Sequence, residues 1–230
     1  MKKFFIYLTA VGLLLSAVSA SAQNKPAEKP PEKKANQRPP ETKKKEPYDD
    51  ADVKTMAAQC VTLETEKGNI TMELFPESAP ETVRNFLNLT ALGIFDTTTF
   101  SRVVPGFIIQ GGNVGTRENR TREQTIRAQK TIPDEPNQIK HESGIVSMAR
   151  PEEPNGASSN FFILLRSADY LDGSFAAFGR VIRGMEVVEA INRMEVEEEK
   201  PKNPVRVNRA VAAPCPADNA EENPTKSDGV

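Results

Sequence analysis

The stretch FSRVVPGFIIQGG at residues 100–112 predicts two short apolar strands and ends on two glycines. Two more stretches continue this pattern: GIVSMARPEEPNGASSNFFI at residues 144–163 and YLDGSFAAFGRVIRGMEVVEAI at residues 170–191. Short apolar runs bounded by turn residues are typical of antiparallel β-structure. The strands predicted from these stretches cover residues 99–103, 108–110, 145–148, 161–164 and 176–181.

The sequence before these stretches predicts a β-hairpin and a helix. Residues 61–65 and 70–75 alternate between apolar and polar side chains on either side of a Lys-Gly-Asn turn, which is typical of a hairpin. Ser78 and Glu81 have the spacing of a helix capping box, and Gly93 is suited to end that helix.

Many short strands with only two helices favour a mainly β fold. The second predicted helix covers residues 185–194, and a last strand covers residues 205–212. Antiparallel sheets of this kind remove their exposed edges by closing on themselves. We therefore expect a closed antiparallel β-barrel with the two helices over its open ends.

The composition argues against several classes of function. The chain has 30 basic and 32 acidic residues, and its formal net charge of -2 is too balanced for general binding to nucleic acid or anionic membranes. One histidine and two cysteines cannot build a cysteine-type or cysteine–histidine zinc site, and they leave weak options for histidine-dependent nucleophilic catalysis. We expect no metal and no cofactor. The pair Gly111-Gly112 lacks the Lys-Ser/Thr of a phosphate-binding loop, so it predicts a turn.

The first 22 residues have the three parts of a secretory signal peptide. Two lysines precede an apolar run over residues 4–18, and the tripeptide Ala-Ser-Ala at residues 20–22 has the small-x-small pattern that signal peptidase accepts. We expect cleavage after Ala22 and an exported protein of bacterial type, periplasmic or secreted, with no membrane span left. An uncleaved anchor is the alternative, although the apolar run is shorter than the ~20 residues that span a bilayer.

Two polar segments flank the predicted domain. Residues 23–59 are rich in Lys, Glu and Pro, and they bury too little apolar surface to offset the entropy of ordering, so they predict a disordered linker. Residues 214–230 predict a second disordered tail. The folded domain is therefore predicted at residues 60–213.

The two cysteines stand at the ends of this domain. Cys60 begins the first predicted strand, and Cys215 follows the last one. If these strands pair antiparallel, the two thiols lie side by side, and in an oxidising compartment they would form a disulfide. Two unpaired thiols are the alternative.

The three stretches together resemble the cyclophilins, the peptidyl-prolyl cis-trans isomerases. The resemblance covers residues 61–211, with every block in the family's order and near its spacing. It implies an eight-stranded antiparallel β-barrel capped by two α-helices, with a substrate groove on the outer surface of the barrel. It also implies that the partners are proline-containing unfolded or extended polypeptides.

By this resemblance, Arg102 is the catalytic residue. A permanently charged guanidinium is suited to donate to the prolyl nitrogen lone pair, which appears only when the X–Pro amide twists. Gln110 is expected to hydrogen-bond the substrate backbone near Arg102 and to help orient it. The remaining groove residues are Phe107, Ile108, Phe162 and Leu171 around the proline ring, and Ala149 with the backbone of Arg150 along the extended peptide.

Three further groove positions depart from the family pattern. Tyr170 stands where drug-sensitive members carry tryptophan, and Phe175 stands where many members have histidine. Asn160 replaces the usual glutamine, and its shorter side chain is expected to loosen one contact with the substrate. His141 lies in a segment that resembles a family loop in which the histidine is structural.

A basic segment, GTRENRTREQTIRAQK at residues 115–130, replaces the glycine-rich loop that family members usually have. Its five basic residues outnumber its two glutamates. We hypothesise that this segment favours substrates with acidic residues beside the proline. A solvated surface loop is the alternative.

The leading hypothesis is an isomerase that accelerates X–Pro isomerisation during the folding of exported proteins, by a non-covalent mechanism. One alternative is a cyclophilin-like scaffold or chaperone that binds proline peptides with little catalysis. Another is an envelope protein tethered by an uncleaved anchor. A pure binder need not keep the lone-pair donor, so Arg102 favours the enzyme. We expect a monomer.

Overall fold

The computed structural model describes residues 44–217. The predicted signal peptide and the outer parts of the predicted linker and tail lie outside the described residues. No helix within residues 44–217 is long and apolar enough to cross a membrane. The helices are α1 (Val53–Ala57), α2 (Pro80–Ala91), α3 (Arg122–Ala128) and α4 (Met185–Asn192), with 3₁₀ turns at Val114–Thr116 and Asp169–Leu171. The strands are β1 (Gln59–Thr65), β2 (Gly68–Leu74), β3 (Arg102–Val104), β4 (Ile108–Gly111), β5 (Ile145–Met148), β6 (Phe161–Leu164), β7 (Ala177–Arg183), β8 (Val196–Glu197), β9 (Lys200–Pro201) and β10 (Val207–Pro214).

Eight of these strands form one antiparallel sheet in the order β10-β1-β2-β7-β5-β6-β4-β3, and β8 pairs with β9 in a separate hairpin. The mainly β architecture is confirmed, but the closed barrel is wrong, because the sheet forms a half-barrel in which β10 and β3 do not pair. The short strand β3 instead meets the β8–β9 hairpin, since the Val103 N–H donates to the Glu199 carbonyl at 2.8 Å. The connection toward β10 is limited to an isolated bridge between Thr99 and Arg206 and a few backbone bonds beside it.

Helices α2 and α4 match the two predicted helices, and α1 and α3 are additional. The predicted Ser78–Glu81 capping box does not form, because the N-cap of α2 is Ala79 and makes no side-chain cap bond. The Glu135 carboxylate caps this helix instead, accepting from the N–H groups of Glu81 at 3.0 Å and Thr82 at 2.7 Å. A negative charge at this end of a helix is favourable, because the unpaired N–H groups make it partially positive.

Alternate residues of the central strands belong to two different apolar clusters. Ile109 of β4 and Phe161 of β6 lie in the interior core, where Phe161 packs against Phe86 of α2 with ring centroids 5.4 Å apart. Their neighbours Ile108 and Phe162 lie in a second cluster. Successive strand residues point to opposite faces, so the second cluster lies on the outer face of the sheet.

The N-terminal part of the described chain packs against the domain. Met56 of α1 is fully buried, and the Arg84 guanidinium donates to the carbonyls of Tyr48 and Ala51 at 2.8 and 2.7 Å. Arg127 forms an ion pair with the Glu46 carboxylate. The linker prediction is therefore wrong for residues 44–58, where a few anchoring side chains order a mostly polar segment.

Cys60 and Cys215 are joined in a disulfide, with their Cα atoms 4.7 Å apart. The antiparallel register of β1 and β10 pairs Cys60 with Ala213, so the chain end after β10 brings Cys215 beside it. The Cys215 N–H also donates to the Ala58 carbonyl at 3.0 Å. The ordered chain thus extends beyond the predicted domain boundary at residue 213.

A buried polar network connects β5 to two loops. The His141 ring lies between Asp172 and Ser147, with Nδ1 3.0 Å from the Asp172 Oδ1 and Nε2 3.1 Å from the Ser147 Oγ. The pKa of Asp172 is lowered from 3.8 to about 2, first by the hydrogen bond from the Lys140 ammonium and then by the His141 backbone N–H. Folding therefore favours the carboxylate form of Asp172.

Breaking the disulfide is expected to destabilise the protein. The bond closes a loop with a sequence separation of 155 residues, which is worth about 5 kcal/mol in the chain-entropy model. We expect a reductant to lower the melting temperature of the wild type and to leave the already lowered melting temperature of a Cys60→Ser/Cys215→Ser variant unchanged. Equal melting of oxidised and reduced wild type would contradict a stabilising role.

The depressed pKa of Asp172 predicts a loss of stability in acid. Its contribution is fully present above the ordinary pKa of 3.8 and is lost as the pH falls through about 2. We expect the difference in melting temperature between wild type and Asp172→Asn to be large at pH 6 and to narrow toward pH 2. A difference that is independent of pH over this range would refute this linkage.

Candidate active site

One row of side chains runs across four strands on the outer face of the sheet. The register pairs Arg102 of β3 with Gln110 of β4, Gln110 with Phe162 of β6, and Phe162 with Ser147 of β5. Paired residues of neighbouring strands point to the same face of a sheet. A guanidinium, an amide and an aromatic ring therefore stand side by side, although 60 residues of sequence separate the first from the last.

A groove of about 510 Å³ lies over this row. It is lined by every residue that the sequence assigned to catalysis or substrate binding: Arg102, Phe107, Ile108, Gln110, Ala149, Arg150, Asn160, Phe162, Tyr170, Leu171 and Phe175. Four more lining residues were missed, namely Asn113, Pro151, Gly156 and Ser158. The missed residues lie in loops, where no periodic pattern indicates which side chains face a groove. The structure thus brings the assigned residues together, while their roles stay predictions.

The apolar part of the groove is preorganised by the second cluster. Ile108, Phe162 and Leu171 are each at least nine-tenths buried, and Phe162 meets Phe175 edge to face with ring centroids 5.9 Å apart. Tyr170 lies at the rim, is 72% exposed, and its ring centroid is 6.4 Å from that of Phe107. Buried walls and an exposed aromatic rim give an apolar socket that is open on one side.

Arg102 is held from two sides at the polar end of the groove. Its Nη1 donates to the Gln110 Oε1 at 3.3 Å, and its Nε donates to the Glu199 Oε2 at 2.7 Å. The side chains of Arg102 and Glu199 are 44% and 46% exposed, so this pair remains in contact with solvent. Sequence reasoning missed Glu199, because it lies 97 residues from Arg102 in a run of three glutamates without a distinguishing pattern.

Two other arginines stack on the aromatic walls. The Arg150 guanidinium carbon lies 5.3 Å from the Phe175 ring centroid, and that of Arg166 lies 5.2 Å from the Phe107 ring centroid. These distances are within the range of cation–π attraction. Arg150 was predicted only for its backbone, and Arg166 was not predicted at all.

The edge predicted to pair with an extended peptide follows β5. The Ala149 N–H donates to the Asn160 carbonyl at 2.9 Å, so this amide hydrogen is already used. The Ala149 carbonyl and the Arg150 N–H remain for the predicted pairing with a peptide. The Asn160 side chain lines the groove beside them, as assigned.

Two arginines of the basic segment at residues 115–130 bind within the fold. Arg117 donates to the carbonyl oxygens of Gly93 and Ile94 at 2.6 and 3.3 Å, and Arg127 is paired with Glu46. None of residues 115–130 lines the groove. At least two of its five basic charges are therefore used within the fold, and the hypothesis that this segment favours acidic substrates stays a prediction.

Ser147, His141 and Asp172 contact one another in the order of a Ser-His-Asp hydrolytic triad, but the serine hydroxyl is not accessible to a substrate. Ser147 is fully buried and donates to the Ala176 carbonyl at 2.9 Å, so its hydroxyl cannot meet a substrate. The arrangement agrees with a structural histidine. Within residues 44–217, no three side chains of His, Cys, Asp or Glu are grouped so that they could hold a metal ion.

Comparison with known proteins identifies the family of this fold and groove. The model of the family "Cyclophilin type peptidyl-prolyl cis-trans isomerase/CLD" matches residues 60–212. Peptidyl-prolyl cis-trans isomerase cypE of Dictyostelium discoideum is 38% identical over 159 residues, which cover 68% of this chain and 99% of that protein. Peptidyl-prolyl cis-trans isomerase A of the bacterium Dickeya dadantii is 36% identical over 146 residues, which cover 61% of this chain and 75% of that protein.

Solved structures agree with this family. A cyclophilin type peptidyl-prolyl cis-trans isomerase of Cryptosporidium parvum, crystallised in the presence of the dipeptide Ala-Pro, superposes with a TM-score of 0.58 and is 30% identical. The match covers 66% of this chain and 97% of that chain. A cyclophilin of Hirschia baltica, at 22% identity and a TM-score of 0.56, shares the fold. The chain belongs to the cyclophilin type peptidyl-prolyl cis-trans isomerase family.

Proposed function

We propose that this protein catalyses the cis–trans isomerisation of X–Pro peptide bonds in exported polypeptides, with Arg102 as the donor to the prolyl nitrogen. The observation that carries the proposal is the position of the Arg102 guanidinium, beside Gln110 and at the edge of the socket formed by Phe107, Phe162 and Leu171.

The chemistry requires no covalent bond to the enzyme. The barrier of about 20 kcal/mol is the amide resonance lost when the C–N bond twists, and the twist restores a lone pair on the prolyl nitrogen. A donor at this nitrogen interacts with the twisted state and not with either planar isomer. Such an interaction lowers the barrier, because it is made only in the transition state. The Nη atoms of Arg102 are the donors suited to this task, since Glu199 occupies Nε.

The apolar socket accounts for the rest of the mechanism. Burial of the proline ring against Phe162 and Leu171 fixes the ring while the preceding residue rotates. Uncatalysed exchange takes tens of seconds, so a turnover of about 10² to 10³ per second needs the barrier lowered by roughly 4 to 7 kcal/mol. One charged hydrogen bond supplies about 1.5 to 3 kcal/mol. The remainder comes from exclusion of water and from a socket that fits the twisted peptide.

Two observations support the proposed export. The first 22 residues have the features of a cleavable signal peptide, and both cysteines of the chain are joined in a disulfide. Disulfides persist in oxidising compartments and are rare in the cytosol. The client proteins are then exported chains whose folding waits on X–Pro isomerisation. The alternative of a proline-binding scaffold with little catalysis gains no support, because the groove keeps its donor.

Replacement of Arg102 tests the proposed reaction. We expect the wild type to accelerate exchange of an Ala-Pro peptide, measured by a protease-coupled assay, and Arg102→Ala to lower kcat/KM about tenfold to a hundredfold. Arg209→Ala removes an exposed arginine of β10 outside the groove, and we expect it to retain wild-type activity. A wild type that binds the peptide without accelerating exchange would favour the scaffold instead.

The N-terminus of the protein from its native host tests export. We expect mass spectrometry to find Gln23 as the first residue, because cleavage after Ala22 fits the small-x-small pattern. A native protein that retains residues 1–22 would contradict cleavage and support the tethered alternative.

A further inference from the structure

We propose that Glu199 is a positioning residue of the active site, and that it holds the Arg102 guanidinium in the orientation that catalysis needs. The inference rests on the isomerase function proposed above and adds a residue to it. Glu199 lies outside the groove lining and reaches the reaction only through Arg102.

The hydrogen bonds define how Arg102 is oriented. Glu199 accepts from Nε at 2.7 Å, and Gln110 accepts from Nη1 at 3.3 Å. Two acceptors at different nitrogens fix both the position and the plane of a guanidinium, because its five N–H groups form a rigid fork. A guanidinium bound only at Gln110 could rotate about that single contact. The shorter of the two bonds is the one to Glu199.

The backbone of the hairpin holds Glu199 in place. The pairing of Val196 with Pro201 and of Glu197 with Lys200 leaves Glu198 and Glu199 as its two-residue tip. The Glu199 carbonyl accepts from the Val103 N–H at 2.8 Å. The tip is therefore attached to β3 at the residue after Arg102, and one residue supplies both the backbone bond and the carboxylate.

The tip has a backbone conformation that its residues do not favour. Glu198 and Glu199 have φ angles of 47° and 66°, in the left-handed region where two-residue hairpins normally use Asn and Gly. Strained residues of this kind persist where surrounding contacts determine them, and they cluster at functional sites. The two bonds from Glu199 to β3 are contacts of this kind.

An exposed ion pair of this kind contributes little to folding stability. The ion pair matters instead for the position of the Arg102 guanidinium, because misplacing a reacting group by about 1 Å can lower the rate up to 10²-fold. The apolar socket does not depend on Glu199. Loss of the carboxylate should therefore slow the reaction while leaving the affinity for proline peptides nearly unchanged.

Substitutions at the hairpin tip separate positioning from charge. We expect Glu199→Ala to lower kcat/KM about fivefold to tenfold, with the affinity for an Ala-Pro peptide in an NMR titration changed less than about twofold. Glu199→Gln keeps an acceptor for Nε without the charge, and we expect it to stay within about twofold of wild type. The matched control is Glu198→Gln at the neighbouring tip position, which should equal wild type. If Glu199→Gln were as slow as Glu199→Ala, the negative charge of Glu199 and not its positioning of Arg102 would be responsible, and the inference would be overturned.

Two more measurements exclude a merely structural role. In an Arg102→Ala background, Glu199→Ala should cause no further loss of kcat/KM, because the two residues act as one unit. Glu199→Gly relieves the positive φ, so we expect it to keep or raise the melting temperature while lowering kcat/KM as far as the Ala variant does. Additive losses, a Glu199→Ala variant with wild-type kcat/KM, or a loss that tracks a lowered melting temperature would each overturn the inference. Inactivity of the wild type itself would instead contradict the proposed isomerase function.

Discussion

The register of β3, β4, β6 and β5 determines which side chains line the groove and which pack in the core. It aligns Arg102, Gln110 and Phe162 in one row on the outer face, while Ile109 and Phe161 point into the core. Because side chains alternate along a strand, a slip by one residue would bury the guanidinium and expose the core. Apolar packing on both faces of β4 and β6 therefore fixes the position of the proposed catalytic groups.

The parts around this row hold it from different sides. The second apolar cluster forms the floor of the socket. At the β5 end of the row, Ser147 is held by its contact with His141, which in turn contacts Asp172. The β8–β9 hairpin covers the free edge of β3 and holds Arg102 through Glu199. Stability and site geometry thus share the same contacts, although the exposed ion pair of Arg102 adds little to stability itself.

Sequence patterns predicted the elements whose side chains alternate or repeat regularly, such as the β1–β2 hairpin and helix α2. The groove residues followed from the family resemblance, since spacing alone cannot tell that Phe162 lines a surface socket. Two features could have been predicted from the sequence but were missed. Thr121 and Gln124 have the spacing of a capping box and begin helix α3. Met56 is an apolar residue in a mostly polar segment, and its burial anchors that segment to the domain. Glu199 and Glu135 act on residues far away in sequence, so no local pattern could indicate their partners. The lack of pairing between β3 and β10 was also unpredictable, because it depends on where the β8–β9 hairpin docks.

An NMR titration of the ¹⁵N-labelled protein with an Ala-Pro peptide that it isomerises shows directly whether catalysis takes place over the row of Arg102, Gln110 and Phe162. We predict that the largest chemical-shift changes and exchange broadening occur at Arg102, Gln110 and Phe162. We expect them to fade toward a separate surface pocket, whose lining includes Gly106 and Met194. Acceleration of peptide exchange with perturbations centred elsewhere would contradict the central claim, because catalysis would then not take place over the row that the sheet register builds.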